Sequence, residues 1–300
     1  MFDTTPTLDC NGRALKLDRP RICGILNLTS DSFSGDGLRD DVQAAVAQGV
    51  AMVEQGADLL DVGAESTRPG AQPVETKDEI ARVVPVIEAL AKRVEVPISI
   101  DTSKPDVMRA AVAAGAGLIN DVYALRRESA LDAAAELKIP VCLMHMQGEP
   151  RTMQDDPHYD DVVGGVHRFL AERVFACEMA GIDKRRVLVD PGFGFGKTLE
   201  HNLALLRDLE RFRDLGAGVF VGVSRKAMIG TLTGRKSGAE RAAGSAAAAM
   251  IAVQRGAMIV RVHDVAATRD ALSMWQSVHE GDMPAKAEPK PFGSQRVGDD

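Results

Sequence analysis

The chain has 300 residues, of which 45% are hydrophobic, and a formal net charge of -7 at pH 7. An acidic chain without a basic run argues against nucleic-acid binding, and the lack of any stretch near roughly 18 consecutive apolar residues argues against a membrane span. The N-terminus has no signal-peptide pattern and the four cysteines form no CxxC pair. Cys23 and Cys142 fall inside apolar strand candidates and are expected to be buried free thiols, so we expect a cytoplasmic location.

The predicted elements begin with a short hairpin in residues 1–19, because Asn11-Gly12 is a strong hairpin turn dipeptide. Eight short apolar runs follow and are predicted to be strands, at 22–26, 59–60, 98–100, 118–119, 141–144, 187–189, 219–223 and 259–260. Segments with helical character lie between and after them, at 41–55, 75–93, 105–115, 128–138, 159–180, 199–214, 239–255 and 266–278. Residues 281–300 are rich in Pro, Lys and Gly and are predicted to form a disordered tail.

Eight strands that alternate with eight helices predict an α/β fold, a single (β/α)8 TIM barrel over residues 1–280 that includes the short N-terminal hairpin. A barrel of this kind typically needs about 250 residues. Strands buried on both faces are continuously apolar, as these runs are, which favours a closed parallel sheet. The alternative is a doubly wound open sheet, which is expected to carry ligand groups at one switch point rather than after every strand.

Polar side chains stand directly after the apolar runs along the whole chain. They are Asn27, Asp61, Asp101, Asn120, His145, Asp190, Ser224, Lys226, Arg261 and His263. A parallel barrel brings the carboxyl ends of its strands to one rim, where the active sites of this architecture lie. We therefore expect these groups to form one site.

Asp101 and Asp190 are the candidates for binding a ligand through charged acceptors. Each ends an apolar strand, so a rigid element holds its carboxylate at the barrel mouth. Asp101 has a second interpretation as a helix cap, but Thr102 and Ser103 can cap the helix that begins at Pro105. Two carboxylates facing one pocket suit a heterocycle with an edge of N–H donors, because charged acceptors make the stronger hydrogen bonds.

Three side chains that can carry positive charge, Lys226, Arg261 and His263, follow the last two predicted strands. The alternative for any one of them is a surface salt bridge, but loops after strands 7 and 8 of this architecture often bind phosphate. Charge-assisted hydrogen bonds contribute roughly 1.5–3 kcal/mol each, so two or three could hold a pyrophosphate. The sequence therefore predicts acidic acceptors on one side of the mouth, cations on the other and a heterocycle between them.

The glycine-rich stretch 192–197 does not match a nucleotide-binding motif. Where a P-loop needs its first glycine, this chain has Pro191. The dinucleotide pattern GxGxxG also fails, because its last glycine is replaced by Lys197. The glycines are expected instead to allow a close backbone approach, with Phe193 or Phe195 forming an aromatic wall.

The loops after the first two predicted strands, 27–37 and 65–70, are long and polar. Both contain glycine, as mobile lids tend to do. Asn27, at the start of the first loop, is a candidate oxygen ligand for Mg²⁺, which takes substrate phosphate oxygens and usually keeps several waters.

Taken together, the motifs at 24–37, 61–70, 100–104, 119–121, 144–148, 190–197, 222–226 and 261–264 resemble those of the dihydropteroate synthase family. The resemblance runs from about residue 20 to about residue 280. It implies a (β/α)8 barrel that is commonly a homodimer. The implied reaction is a step of folate biosynthesis, in which 6-hydroxymethyl-7,8-dihydropterin diphosphate is joined to p-aminobenzoate and diphosphate is released.

Carried over by motif position, the resemblance implies three groups of site residues. The pterin is expected to contact Asp101, Asn120, Asp190 and Lys226, and the diphosphate and Mg²⁺ to contact Asn27, Arg261 and His263. The p-aminobenzoate pocket is expected to contain Thr67, Arg68, Pro69, Phe195 and Ser224. Catalysis is expected to involve Asp101, Lys226, Arg261 and His263, with Asp101 stabilising a pterin cation as diphosphate leaves.

The first lid departs from the family's usual sequence. Ser30 stands where the family has proline, and Gly35-Asp36 inverts the usual Asp-Gly order. Two alternative functions stay open at this point. One is a pterin-dependent methyltransferase, which would have no use for the diphosphate cations. The other is a related protein that binds pterin without turning it over.

Overall fold

The structure, a computed structural model, describes residues 6–28, 42–66, 72–150 and 152–280. It begins with an antiparallel hairpin of β1 (Thr7–Cys10) and β2 (Arg13–Lys16). Asn11 and Gly12 form the turn with φ angles of +58° and +82°, the positive values that a two-residue turn of type I′ requires. The predicted hairpin and its turn are confirmed.

Eight parallel strands follow and close on themselves. They are β3 (Arg21–Asn27), β4 (Leu59–Gly63), β5 (Ile98–Asp101), β6 (Leu118–Asp121), β7 (Val141–Met144), β8 (Val187–Asp190), β9 (Gly218–Val221) and β10 (Ala257–Val262). Each strand pairs in parallel with the next, and β10 pairs with β3. The predicted barrel is therefore confirmed, and the doubly wound open sheet is wrong because that sheet would have two unpaired edges.

Helices connect the strands on the outside of the barrel. They are α1 (Val42–Glu54), α2 (Thr76–Ala91), α3 (Pro105–Ala113), α4 (Ala130–Leu137), α5 (Val162–Met179), α6 (Leu199–Arg207), α7 (Ala227–Thr233), α8 (Ala242–Gln254) and α9 (Val265–Glu280). The helix α7 was not predicted, because its seven residues span fewer than two helical turns, too few for a helical spacing of apolar residues to be recognised. Short 3-10 turns at Leu209–Phe212 and Ala239–Arg241 occupy parts of two predicted helical segments.

The strands are apolar on both faces. Helices cover their outer face, and their inward-facing side chains pack with one another and with the hairpin region. Outward-facing residues such as Leu60, Val62 and Ile100 pack in one large cluster with the helices. The inward-facing residues pack against the hairpin region; they are Cys23, Leu59, Leu118, Cys142, Leu188, Phe220 and Ile259, with Leu8, Cys10, Leu15 and Leu17. Arg13 fastens the hairpin by donating to the carbonyls of Val96 and Ala91 at 2.7 and 2.6 Å. The hairpin therefore closes the amino-terminal end of the barrel.

All four cysteines are buried free thiols, which confirms the prediction made for Cys23 and Cys142. Burial raises the pKa of Cys23 and Cys142 well above the ordinary value, so these thiols stay protonated inside the barrel. Within the described residues, we find no helix with the length and apolar character needed to cross a membrane.

Candidate active site at the carboxyl end of the barrel

A polar layer lies directly above the inward-facing apolar layer. Side chains alternate between the two faces of a strand, so a residue two positions after an inward-facing one also faces inward. By this rule Asp61, Asn120, Asp190 and Arg261 face the barrel axis, since they follow Leu59, Leu118, Leu188 and Ile259 by two positions. The fold thus sorts these polar groups onto one level at the carboxyl end of the strands.

Arg261 lies between two carboxylates of this layer. Its Nε donates to Oδ2 of Asp61 at 2.5 Å, and a terminal guanidinium nitrogen donates to Oδ2 of Asp101 at 2.8 Å. Asn120 Nδ2 donates to the same Asp61 oxygen at 3.1 Å. The expectation of acids on one side of the mouth and cations on the other is therefore wrong for Arg261. β10 closes the barrel beside β3, which brings Arg261 within reach of β4 and β5.

Asp61 belongs to this site, although sequence reasoning assigned it no role. Its side chain is fully buried, and among the described residues its Oδ1 has no hydrogen-bond partner. The signal was present, because Asp61 follows the apolar pair Leu59–Leu60 in the same way that Asp101 follows its strand. A buried acceptor without a partner is costly, so this oxygen is suited to receive a donor from a ligand.

The protonation of Asp101 depends on Arg261. Burial raises the pKa of the Asp101 carboxyl, the Arg261 guanidinium opposes the rise, and the Asp61 carboxylate adds to it. Burial alone would favour the neutral acid, because a low-dielectric environment disfavours the charged form. The ion pair with Arg261 is thus what supports a carboxylate at this position.

Asp190 ends β8 and is held by the backbone that follows it. Its Oδ1 accepts a hydrogen bond from the Gly192 amide at 2.7 Å. Burial raises the pKa of Asp190 to about 6, and the Gly192 amide, Lys226 and Lys197 oppose the rise. A Cβ at Gly222 would lie 3.9 Å from the other oxygen, Oδ2, which is an ordinary van der Waals contact, so Gly222 lies beside this carboxylate. Asp190 is therefore a fixed acceptor that is charged at neutral pH.

The glycines after β8 bring two loops into backbone contact. Gly192, Gly194 and Gly196 have φ angles of +70°, +77° and +60°. A Cβ at Gly192 would lie 1.8 Å from the carbonyl oxygen of His145, and one at Gly196 would lie 2.5 Å from that of Gln147. These glycines provide the close backbone approach that the sequence predicted, and they do so against the loop after β7.

Substituting Gly192 with Ala tests this contact. We expect the variant to lose about 2 kcal/mol more of unfolding free energy than Gly181→Ala, measured by chemical denaturation. Gly181 has a similar φ of +86° but open space around its Cβ position, so its substitution isolates the cost of the backbone conformation. Equal losses in the two variants would contradict the proposed backbone contact.

Phe195 lies beside Lys226 in the mouth of the barrel. The Lys226 Nζ is 4.2 Å from the centroid of the Phe195 ring, within the range of a cation–π interaction. Phe193 is 1% exposed and packs in the large outer core cluster instead. Of the two phenylalanines that the sequence offered as an aromatic wall, Phe195 is therefore the one beside a site residue.

Ser224 and His263 come together from the loops after β9 and β10. Ser224 Oγ lies 3.1 Å from Nδ1 of His263 and accepts a hydrogen bond from the His263 backbone amide at 3.2 Å. Arg225 fastens the same two loops, since its guanidinium donates to both carboxylate oxygens of Asp264 at 3.0 and 2.6 Å. This clamp fixes the positions of Ser224, Lys226 and His263 relative to the polar layer.

A cavity of about 430 Å³ opens beside Asp101. Its lining includes Glu65, Tyr123, Arg127 and Glu149, which come from the loops after β4, β6 and β7. The Tyr123 hydroxyl donates to Glu149 at 2.7 Å, and the Arg127 guanidinium lies 4.4 Å from the Tyr123 ring centroid. The volume is within the range of small-molecule pockets, so a substrate-sized ligand has room next to Asp101.

Asn27 ends β3, where its Cα is paired with that of Gly63. In the part of the chain that the structure describes, no group of three His, Cys, Asp or Glu side chains could hold a metal ion. Thr67, Arg68 and Pro69, which the family resemblance assigns to the p-aminobenzoate pocket, lie outside the described residues. So do Ser30, Gly35-Asp36 and the tail 281–300, and the expectations for them stay predictions.

The chain is similar to known proteins over most of its length. Residues 23–263 match the family described as pterin binding enzyme. The chain is 50% identical to the dihydropteroate synthase of Escherichia coli (strain K12) over 265 residues, which cover 88% of this chain and 94% of that protein.

Two solved structures of dihydropteroate synthase from Xanthomonas albilineans are similar to this fold. The structure with 4-aminobenzoic acid has a TM-score of 0.87 and 60% sequence identity, and covers 94% of this chain and 100% of its own. The structure in complex with 7,8-dihydropteroate has a TM-score of 0.84 and 57% identity, and covers 93% of this chain and 100% of its own.

Proposed function

Because this chain belongs to the dihydropteroate synthase family of pterin binding enzymes, we propose that it joins 6-hydroxymethyl-7,8-dihydropterin diphosphate to p-aminobenzoate and releases diphosphate. Like its relatives it is a transferase of folate biosynthesis. The polar layer above the inward-facing apolar layer carries the assignment of roles to the site residues. In this layer the Arg261 guanidinium donates to the carboxylates of Asp61 and Asp101. The 50% identity with a dihydropteroate synthase favours this function over that of a pterin-dependent methyltransferase.

The pterin ring is assigned to the polar layer. Asp190 is assigned to accept from the N–H edge of the ring through Oδ2, the oxygen that lies beside Gly222. Asp61 Oδ1 is a second acceptor, and Asn120 is held in one orientation by its bond to Asp61. Lys226 supplies a donor on the side where its ammonium lies against Phe195. Charged acceptors in a buried site make the stronger hydrogen bonds to such an edge.

Asp101 and Arg261 are assigned to the charges that develop during the reaction. As the bond from the pterin methylene carbon to diphosphate breaks, the carbon becomes positive and the Asp101 carboxylate stabilises it. Arg261 has five N–H donors, and the described carboxylates take two of them, so it can also donate to the departing diphosphate. His263 is assigned to the same anion. Preorganised charge of this kind is usually the largest catalytic contribution.

The amine substrate is assigned to the outer part of the mouth. Phe195 offers a ring wall, and Ser224 lies on the neighbouring loop, held next to His263. Thr67, Arg68 and Pro69 are proposed to complete this pocket by the family resemblance. The neutral aniline nitrogen attacks the electron-poor methylene carbon and then loses a proton, so this step needs no strong base.

Mg²⁺ is the proposed metal, with Asn27 as its protein ligand. A carboxamide oxygen is a hard donor of the type that Mg²⁺ prefers, and Mg²⁺ usually takes most of its other ligands from substrate phosphates and water. When bound, the ion would neutralise charge on the departing diphosphate.

A homodimer and a cytoplasmic location are also proposed. Large apolar side chains are exposed on the neighbouring helices α8 and α9, where Ile251, Met274 and Val278 are 40%, 68% and 81% exposed. Exposed apolar patches mark interaction surfaces in many soluble proteins. The four buried free thiols agree with a reducing compartment.

The reaction is tested by incubating the protein with the pterin diphosphate and Mg²⁺, with and without p-aminobenzoate, and following diphosphate. We expect release that requires both the amine and the metal, together with the formation of 7,8-dihydropteroate. Binding of the pterin diphosphate without release would instead identify a pterin-binding protein without turnover, and the proposed function would be wrong.

A further inference from the structure

The loop that carries Phe195 is tied down by three side chains from different parts of the chain. The carbonyl oxygens of residues 194, 195 and 196 each accept one hydrogen bond. Gln154 donates to the first at 2.5 Å, Lys197 to the second at 2.9 Å and Tyr159 to the third at 3.0 Å. Of the three donors, only Lys197 can carry a charge as it donates.

Lys197 is unusual for a lysine because it is only 3% exposed, and lysines are almost never fully buried unless they are paired. Its Nζ lies 2.9 Å from Nδ1 of His145, in the loop after β7, and 2.9 Å from the Phe195 carbonyl oxygen. Burial lowers the pKa of His145 to about 2, and Lys197 adds to the fall, so the imidazole is neutral and its Nδ1 serves as the acceptor. Lys197 therefore links the loop after β7 to the loop after β8.

The charge of Lys197 also acts on Asp190. The backbone amide of His145, whose ring Lys197 contacts, donates to the Asp190 carbonyl oxygen at 2.9 Å, so Lys197 is joined to the end of β8 through one residue. The charge of Lys197 interacts with those of Asp190 at the end of β8, His201 on α6 and Lys226 before α7. Burial lowers the pKa of Lys197 to about 7, Asp190 opposes this fall and Lys226 adds to it. At pH 6, near the pKa of Asp190, the ammonium is mostly charged and favours the Asp190 carboxylate.

We propose that Lys197 is a positioning residue that serves both substrates: it fixes Phe195 through the backbone carbonyl and supports the charged form of Asp190 through its own charge. The inference rests on the proposed function, which assigns Phe195 to the amine and Asp190 to the pterin. Lys197 itself touches neither substrate in this scheme.

Two measurements separate these effects. Steady-state kinetics give the KM for p-aminobenzoate, and calorimetry between pH 5 and pH 8 gives the affinity for the pterin diphosphate. A carboxylate with a raised pKa is lost as pH falls through that value, so pterin affinity falls on the acid side. Removing a nearby cation raises the pKa of Asp190 further and moves this acid-side midpoint to a higher pH.

Lys197→Met is expected to raise the KM for p-aminobenzoate about tenfold, because a charge-assisted hydrogen bond to the loop is lost. It is also expected to move the acid-side midpoint of pterin binding upward by about one pH unit. Tyr159→Phe is the matched control, since it removes an uncharged donor from the next carbonyl of the same loop. We expect it to raise the KM by a smaller factor and to leave the midpoint unchanged.

Lys197→Gln keeps an uncharged donor and carries the test if the methionine variant does not fold. It is expected to move the midpoint as methionine does, with a smaller rise in KM. The inference is overturned if the acid-side midpoint of pterin binding is unchanged in both lysine variants, or if it shifts equally in Tyr159→Phe. In either case, a wild-type enzyme that forms dihydropteroate still upholds the proposed function. A wild-type protein that forms no dihydropteroate overturns the proposed function itself.

Discussion

Replacing Asp101 with Asn is expected to lower kcat by about 10²-fold or more while the barrel stays folded. The substitution keeps the shape of the side chain and removes the charge that we propose stabilises the cationic carbon. Folding is expected to tolerate it, because burial already raises the pKa of Asp101 and a buried carboxylate carries a desolvation cost. Arg261 keeps its bond to Asp61 in this variant.

The measurement is steady-state turnover, with circular dichroism and thermal unfolding to report the fold. Asp106→Asn is the control, since Asp106 is an exposed carboxylate in the first turn of α3, only five residues away. We expect the control to retain wild-type turnover. If Asp101→Asn turned over at a rate close to that of the wild type, the role of Asp101 as a stabiliser of positive charge would be wrong.

Among the substitutions proposed here, Arg261→Met is expected to cause the largest loss of unfolding free energy. Asp61 is fully buried and Asp101 is largely so, and the loss of the guanidinium leaves both without their cation. Breaking a buried ion pair by removing one partner costs about 3–5 kcal/mol. Turnover is expected to fall as well, because the variant lacks the donor assigned to the departing diphosphate.

Urea unfolding measures this loss, and Arg109→Met is the matched control. Arg109 also pairs with a carboxylate, that of Glu136, but both side chains are exposed, so we expect a change within about 1 kcal/mol. Adding Asp61→Asn to Arg261→Met is expected to recover part of the stability without recovering activity. A stability loss no larger than that of the control would show that the buried pair does not hold the site together.

The barrel was predictable because each of its strands leaves a local pattern in the sequence. Strands covered on both faces must be apolar, and each apolar run ends in a polar residue at the mouth, so eight runs predicted eight strands. The N-terminal hairpin was equally predictable from Asn11-Gly12, since few dipeptides accept two consecutive positive φ angles. The helix α7 was not predicted, because its seven residues make fewer than two turns and do not show a repeated apolar spacing.

The candidate site was predictable in its members and less so in their contacts. Asp101, Asp190 and Arg261 stand at strand ends, which is a local property of the sequence. The bond between Arg261 and Asp61 joins residues 200 positions apart, and it depends on how the last strand closes against the first. The burial of Lys197 likewise depends on the loop after β7 packing over the glycines, and its sequence neighbours gave no signal for it.

The closed amino-terminal end of the barrel has a kinetic consequence. Leu8, Leu15 and Phe220 fill the axis below the polar layer, so both substrates enter and both products leave through the same opening. Asp61 and Asp190 lie on the strands, whereas Phe195 and Ser224 lie on the loops that follow β8 and β9 at the open end. The molecule that occupies the deeper position has to arrive first, because the second would otherwise block its path. In the proposed assignment of the site the pterin takes the deeper position, so we expect it to bind before the amine.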